Sequence, residues 1–108
     1  MTLEDGASVW YQAVLSGCRV EEGALIAIRA AVLEGATAGA EAMVGAGAVV
    51  PPGGEVPPRT LVLGNPAAPK RAVTEEKVAD NRSRVERYAA LAQSYRTAAH
   101  TPGEGRAD

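Results

Sequence analysis

The chain has 108 residues, a formal charge of −2 and an apolar fraction of 46% carried mostly by Ala and Val, with no Phe and one Trp. That length supports one small domain in need of further stabilisation, the scarcity of aromatics excludes a thick aromatic core, and the interspersed acids and bases exclude a nucleic-acid footprint. Cys18 is a lone cysteine and cannot form an internal disulfide, no apolar run is long enough to span a bilayer, and no signal-peptide pattern opens the chain, so a soluble cytoplasmic protein is expected.

From Leu3 onward an apolar residue returns every sixth position, at Leu3, Val9 and Leu15 and, after one five-residue step, at Val20, Ile26, Val32, Ala38, Val44 and Val50. Four places after these leaders stand Ala7, Ala13, Ala24, Ala30, Ala36, Ala42 and Ala48, with Arg19 as the misfit of the short unit. Gly6, Gly23, Gly35 and Gly47 sit one place before the alanine, where a corner with positive φ is cheapest. A helix repeats near three and four and a plain strand at two, so neither period fits. The pattern predicts a mainly β solenoid over residues 1–52, in which each unit is a short strand and a turn and successive coils stack at about 4.8 Å.

Residues 53–73 form a Pro- and Gly-rich connector in which Leu61 to Leu63 offer one last short strand. Pro51-Pro52-Gly53-Gly54 is expected to close the C-terminal end of the stack. Residues 74–99 predict an amphipathic helix of about six turns. Thr74 is its N-cap, Glu75 and Glu76 complement the dipole, and Val78, Val85, Tyr88, Ala92, Tyr95 and Ala99 form its stripe. Residues 100–108 read as a disordered tail.

The segment VGAGAVVPPGGEVPPRTLVLGNPAAPKRAVTEEK, followed by a helix carrying Tyr88, Leu91, Ala92 and Tyr95, resembles the end of the gamma-class carbonic anhydrase family of hexapeptide-repeat proteins. Hexapeptide acyltransferases share the turn from Gly64 to Ala67. The resemblance implies a left-handed parallel β-helix with three units per triangular coil, about two and a half to three coils here, and the helix packed on one side. It also implies a homotrimer, with zinc held between subunits by three histidines, two of them in a segment like H-G-A-V-L-H-G-C. The matching stretch here is Tyr11-Gln12-Ala13-Val14-Leu15-Ser16-Gly17-Cys18, so Tyr11 and Ser16 stand at those histidine positions. The third belongs to an earlier coil, and an alternative alignment on Asp5-Gly6-Ala7-Ser8-Val9-Trp10 lacks the ligand-bearing coils as well. A shortened prism without the zinc site is expected, since loss of whole coils leaves a solenoid in register.

Catalytic zinc needs about three nitrogen or sulfur ligands, and the chain has one histidine, His100, in the tail. Cys18 reads as a small packing residue. No metal, cofactor or catalytic residue is therefore expected. Four carboxylates, Glu4 over Glu21 and Asp5 over Glu22, are a weak candidate for a hard cation or for an arginine of a neighbouring subunit. Trp10, Tyr11 and Ile28 on one side, and Leu25 and Met43 on another, point outward and call for cover by the helix and by a partner. The expected assembly is an obligate homotrimer, possibly stacked end to end into a hexamer. The leading expectation is a non-catalytic trimer with a binding or structural role. The alternative is an enzyme, carbonic anhydrase-like or hexapeptide acyltransferase-like, that takes a small anion or acyl substrate in the inter-subunit cleft through Tyr11, Gln12, Ser16 and Arg29.

Overall fold

The computed structural model describes residues 1–98. The sixfold repeat becomes nine two-residue strands, β1 (Thr2–Leu3), β2 (Ser8–Val9), β3 (Val14–Leu15), β4 (Arg19–Val20), β5 (Leu25–Ile26), β6 (Ala31–Val32), β7 (Thr37–Ala38), β8 (Met43–Val44) and β9 (Val49–Val50). β10 (Glu55–Val56), β11 (Thr60–Leu63) and β12 (Ala68–Ala72) follow, and then the helix α1 (Glu75–Ala98). Every third strand pairs in parallel, which makes three faces: β1-β4-β7-β10, β2-β5-β8-β11 with β12 at its edge, and β3-β6-β9. The molecule is a parallel β-solenoid of about three turns with one C-terminal helix.

Alternation within so short a strand sends its first residue outward and its second to the axis. The inward leaders Val20, Ile26, Val32, Ala38 and Val44 are fully buried, and so are Ala24, Ala30 and Ala48. Each buried Val or Ile contributes roughly 1.5–3 kcal/mol. The misfit at Arg19 resolves as a shift of register. Thr2 pairs with Arg19 whereas Arg19 pairs with Thr37, one residue further on. In the short unit the inward alanine slot therefore passes to Cys18, 3% exposed, and Arg19 turns outward. Leu3 and Val9 keep the inward frame but are 51% and 42% exposed, because their coil has a neighbour on one side only.

The repeat runs on past the expected boundary at residue 52. Pro51-Pro52-Gly53-Gly54 is a corner, not a cap: Gly54 donates to the carbonyl of Pro51, and Thr37 of the coil beneath donates to Gly54. β10 and β11 extend two faces, and β12 folds back antiparallel on β11 to close that end. Proline is tolerated there because a corner leaves its nitrogen outside the ladder.

Thr74 caps α1 as expected, its hydroxyl accepting from the Lys77 amide at 3.1 Å. The helix lies along the second face, with Lys77 near Met43 and Leu61, and Val78, Asn81 and Val85 near Ser8 and Gly23. This cover buries Leu25 and leaves Met43 half-buried, while Val78 and Asn81 are buried on the helix side. Asn81 occupies the stripe position between Val78 and Val85 that apolar counting passes over. The stripe positions Tyr88, Ala92, Tyr95 and Ala99, together with Leu91 and the tail, lie outside the residues whose side chains are described. Among the described residues no helix is long and apolar enough to cross a membrane.

Candidate functional site

The corners are where this scaffold displays polar side chains, because the faces present only one outward residue per strand. At each corner one residue takes positive φ. In the corner between the third and first faces these residues are Gly17, Gly35 and Gly53. In the other two corners non-glycine residues intrude: Gln12 (φ 58°) and Arg29 (φ 60°) below Gly47, and Glu41 (φ 59°) and Arg59 (φ 52°) above Gly6 and Gly23. Left-handed backbone costs roughly 1–2 kcal/mol for a residue with a Cβ, so four such positions in two stacked pairs need a return.

Between the first and second faces the return is structural. The Glu41 carboxylate accepts from Nε of Arg59 at 2.7 Å and from Nη2 of Arg82 on α1 at 2.9 Å. The Arg59 guanidinium also approaches Glu75 at 3.9 Å. The hydrogen bond and charge of Glu41 raise the Arg59 pKa above its ordinary value. One carboxylate thus ties the last coil and the helix to the third coil. Residue-type counting missed this trio. The signal for it was present, because the place before each inward small residue holds Gln12, Arg29, Glu41 and Arg59 where its other occupants are glycine.

Between the second and third faces lies the pair proposed from sequence. Arg29 sits directly over Gln12: its amide donates to the Tyr11 carbonyl at 2.9 Å, and its Nε donates to Oε1 of Gln12 at 2.7 Å. Among the described residues no carboxylate pairs with Arg29. Tyr11 is 80% exposed, and Ile28 and Val14 expose apolar surface nearby. Ser16 is not part of this group within one chain, because β3 carries it to the opposite edge of the third face.

Two of the four stacked carboxylates meet an arginine of their own chain. Arg19 binds Glu4 and, through Nε, Glu21 at 3.2 Å. Asp5 and Glu22 stand on the next column, where the Asp5 carbonyl accepts from Gly23. Among the described residues no group of three or more His, Cys, Asp or Glu is placed to hold a metal. Cys18 is enclosed in the core, and His100 lies outside the described residues.

No family model matches the chain. The carnitine operon protein CaiE of Salmonella agona is 30% identical over 95 residues, which are 88% of this chain and 48% of that protein. The chain therefore spans about half the length of the curated relative it matches. A crystal structure of a Bacillus cereus protein, classed by inference as an acetyltransferase, superposes with a TM-score of 0.82 at 30% identity, covering 89% of this chain and 61% of the other. A hexapeptide transferase family protein of Anaplasma phagocytophilum shares the fold, with a TM-score of 0.70 at 22% identity over 86% of this chain and 80% of that one. With its six-residue frame, its three parallel faces and these likenesses, the chain is a hexapeptide-repeat β-solenoid.

Proposed function

We propose that the protein is a hexapeptide-transferase-like enzyme that holds a small anionic or acyl substrate beside the corner of Gln12 and Arg29, in a cleft completed by a neighbouring subunit of a homotrimer. The observation that carries this reading is an exposed arginine, oriented by Gln12 and paired with no carboxylate among the described residues, on a chain that resembles a protein classed as an acetyltransferase. The trimer is supported by the third face, where outward Val14 is 54% exposed and Ala31 and Val49 follow it with no described element across the three. Tyr11, Gln12 and Arg29 are binding groups in this scheme, and Ser16 joins them only from across a subunit boundary. The coils contain no histidine, so acceptor deprotonation lacks an imidazole base there, and turnover about 10² to 10⁴ below that of a histidine-assisted transferase is expected.

The test is acyl transfer from a thioester donor to a panel of amines and alcohols, run beside light scattering. Slow turnover by a trimer that falls in Arg29→Gln supports the reading; its absence across the panel removes it. A second reading, a non-catalytic trimer of gamma-class carbonic anhydrase type without zinc, is favoured by Tyr11 and Ser16 at the positions where that resemblance places zinc ligands. Acyl transfer separates the two, and stoichiometric zinc with carbon dioxide hydration would overturn both.

A further inference from the structure

We infer that the Gln12–Arg29 corner is a receptor for the carboxylate of a small organic acid whose tail lies along Tyr11, Ile28 and Val14. The only acceptor atom of the Gln12 amide, Oε1, gives one of its two lone pairs to Nε of Arg29. The polar capacity left at the corner's two side chains is dominated by donors: the amide NH₂ of Gln12 and the two terminal nitrogens of Arg29, against one remaining lone pair on Oε1. A donor-rich cluster without a carboxylate of its own among the described residues is complementary to an oxyanion. The guanidinium is held through Nε, so its terminal edge presents two parallel N–H bonds, the spacing that a planar carboxylate meets with both oxygens.

Two further observations direct the ligand. The next coil carries glycine at this corner, and a Cβ built on Gly47 would have no atom within 4 Å, so the space beyond Arg29 is open. The exposed surface beside the pair is apolar, with Tyr11 80%, Val14 54% and Ile28 38% exposed. That surface suits a short aliphatic or aryl tail better than a second charge. Among the described residues, the left-handed backbone at Gln12 and Arg29 has no structural return of the kind that Glu41 and Arg59 obtain from α1, and strain held without a structural partner points to a ligand.

The use of the bound acid as a substrate rests on the transfer reading above; its binding does not. The experiment titrates butyrate and, separately, inorganic phosphate into the full chain, following amide shifts by NMR in the wild type, Arg29→Gln, Arg29→Lys and Gln12→Leu. The expected result is saturable butyrate binding that moves the amides of residues 11–14 and 28–30. It should weaken about tenfold or more in Arg29→Gln and by a smaller factor in Arg29→Lys and Gln12→Leu. Phosphate binding as tight as butyrate, or butyrate binding unchanged in Arg29→Gln with the fold intact by the same spectra, overturns the inference. Butyrate binding at Arg29 without acyl transfer sinks the transferase reading and leaves this one standing. Acyl transfer retained with no saturable butyrate binding at residues 11–14 and 28–30 sinks this inference and leaves the transfer chemistry standing.

Discussion

Two corners of the same solenoid use the same backbone device for different ends. Between the first and second faces, Glu41 and Arg59 accept left-handed backbone and are joined by Arg82 from the helix, so the strain is offset by holding two parts of the fold together. Between the second and third faces, Gln12 and Arg29 accept the same backbone, and among the described residues their side chains bond only each other. A repeat protein shows this contrast unusually well, since each coil supplies an internal control for the next. A polar side chain in a slot that glycine fills elsewhere is informative only once its partners are known.

The largest expected effect contrasts the two corners through their first glycines. A methyl at Gly39 would meet Val56 O and Pro58 N, both backbone atoms, at 2.7 Å. Neither can move without the next coil, so Gly39→Ala should lose about 3 kcal/mol in urea unfolding. The equivalent glycine of the other corner is Gly45, where a methyl would meet mainly the side chain of Leu63, itself 40% exposed and free to swing. Gly45→Ala should cost about 1 kcal/mol; equal losses at the two sites would erase the distinction drawn here.

Glu41→Gly relieves backbone strain but removes the carboxylate shared by Arg59 and Arg82. The net result should be a fall in Tm of about 2 °C at low salt, shrinking toward zero in 1 M NaCl because those guanidinium groups are solvent-exposed. Hydrogen exchange in the first half of α1 should quicken with it. Gln12→Gly and Arg29→Gly carry the opposite sign. With their mutual bond the one side-chain bond they have to lose among the described residues, they should stabilise the chain by about 0.5 kcal/mol, the relief of left-handed strain exceeding the added freedom of the unfolded chain. Destabilisation by either substitution would mean that the second corner also supports the fold.

Much of this was legible in the sequence. The leaders from Val20 to Val50 and the alanines between them are the buried axis, because a coil of such tight cross-section admits only certain small and branched side chains at fixed intervals. Arg19 misled, since counting by residue type cannot tell a polar intrusion from a one-residue shift, and only the pairing of Thr2 with Arg19 shows Cys18 in the inward slot. The boundary at residue 52 misled for a related reason. Proline reads as the end of a strand, yet at a corner it costs the ladder nothing, and the coil continues through Val56 and Val62. At the candidate site, Arg29 over Gln12 followed from the six-residue frame, whereas the separation of Ser16 from Tyr11 did not, because the frame counts units along the chain and the distance across a face depends on how those units fold round the axis.

The periodicity alone dictated a stacked, three-sided β architecture, because burial along a narrow axis is a local rule repeated unit by unit. Which carboxylate meets which arginine, and which face the helix covers, emerged only from the folded chain. Those contacts join residues such as Glu41 and Arg82, far apart in sequence, and no local rule sets where a long-range polar partner arrives.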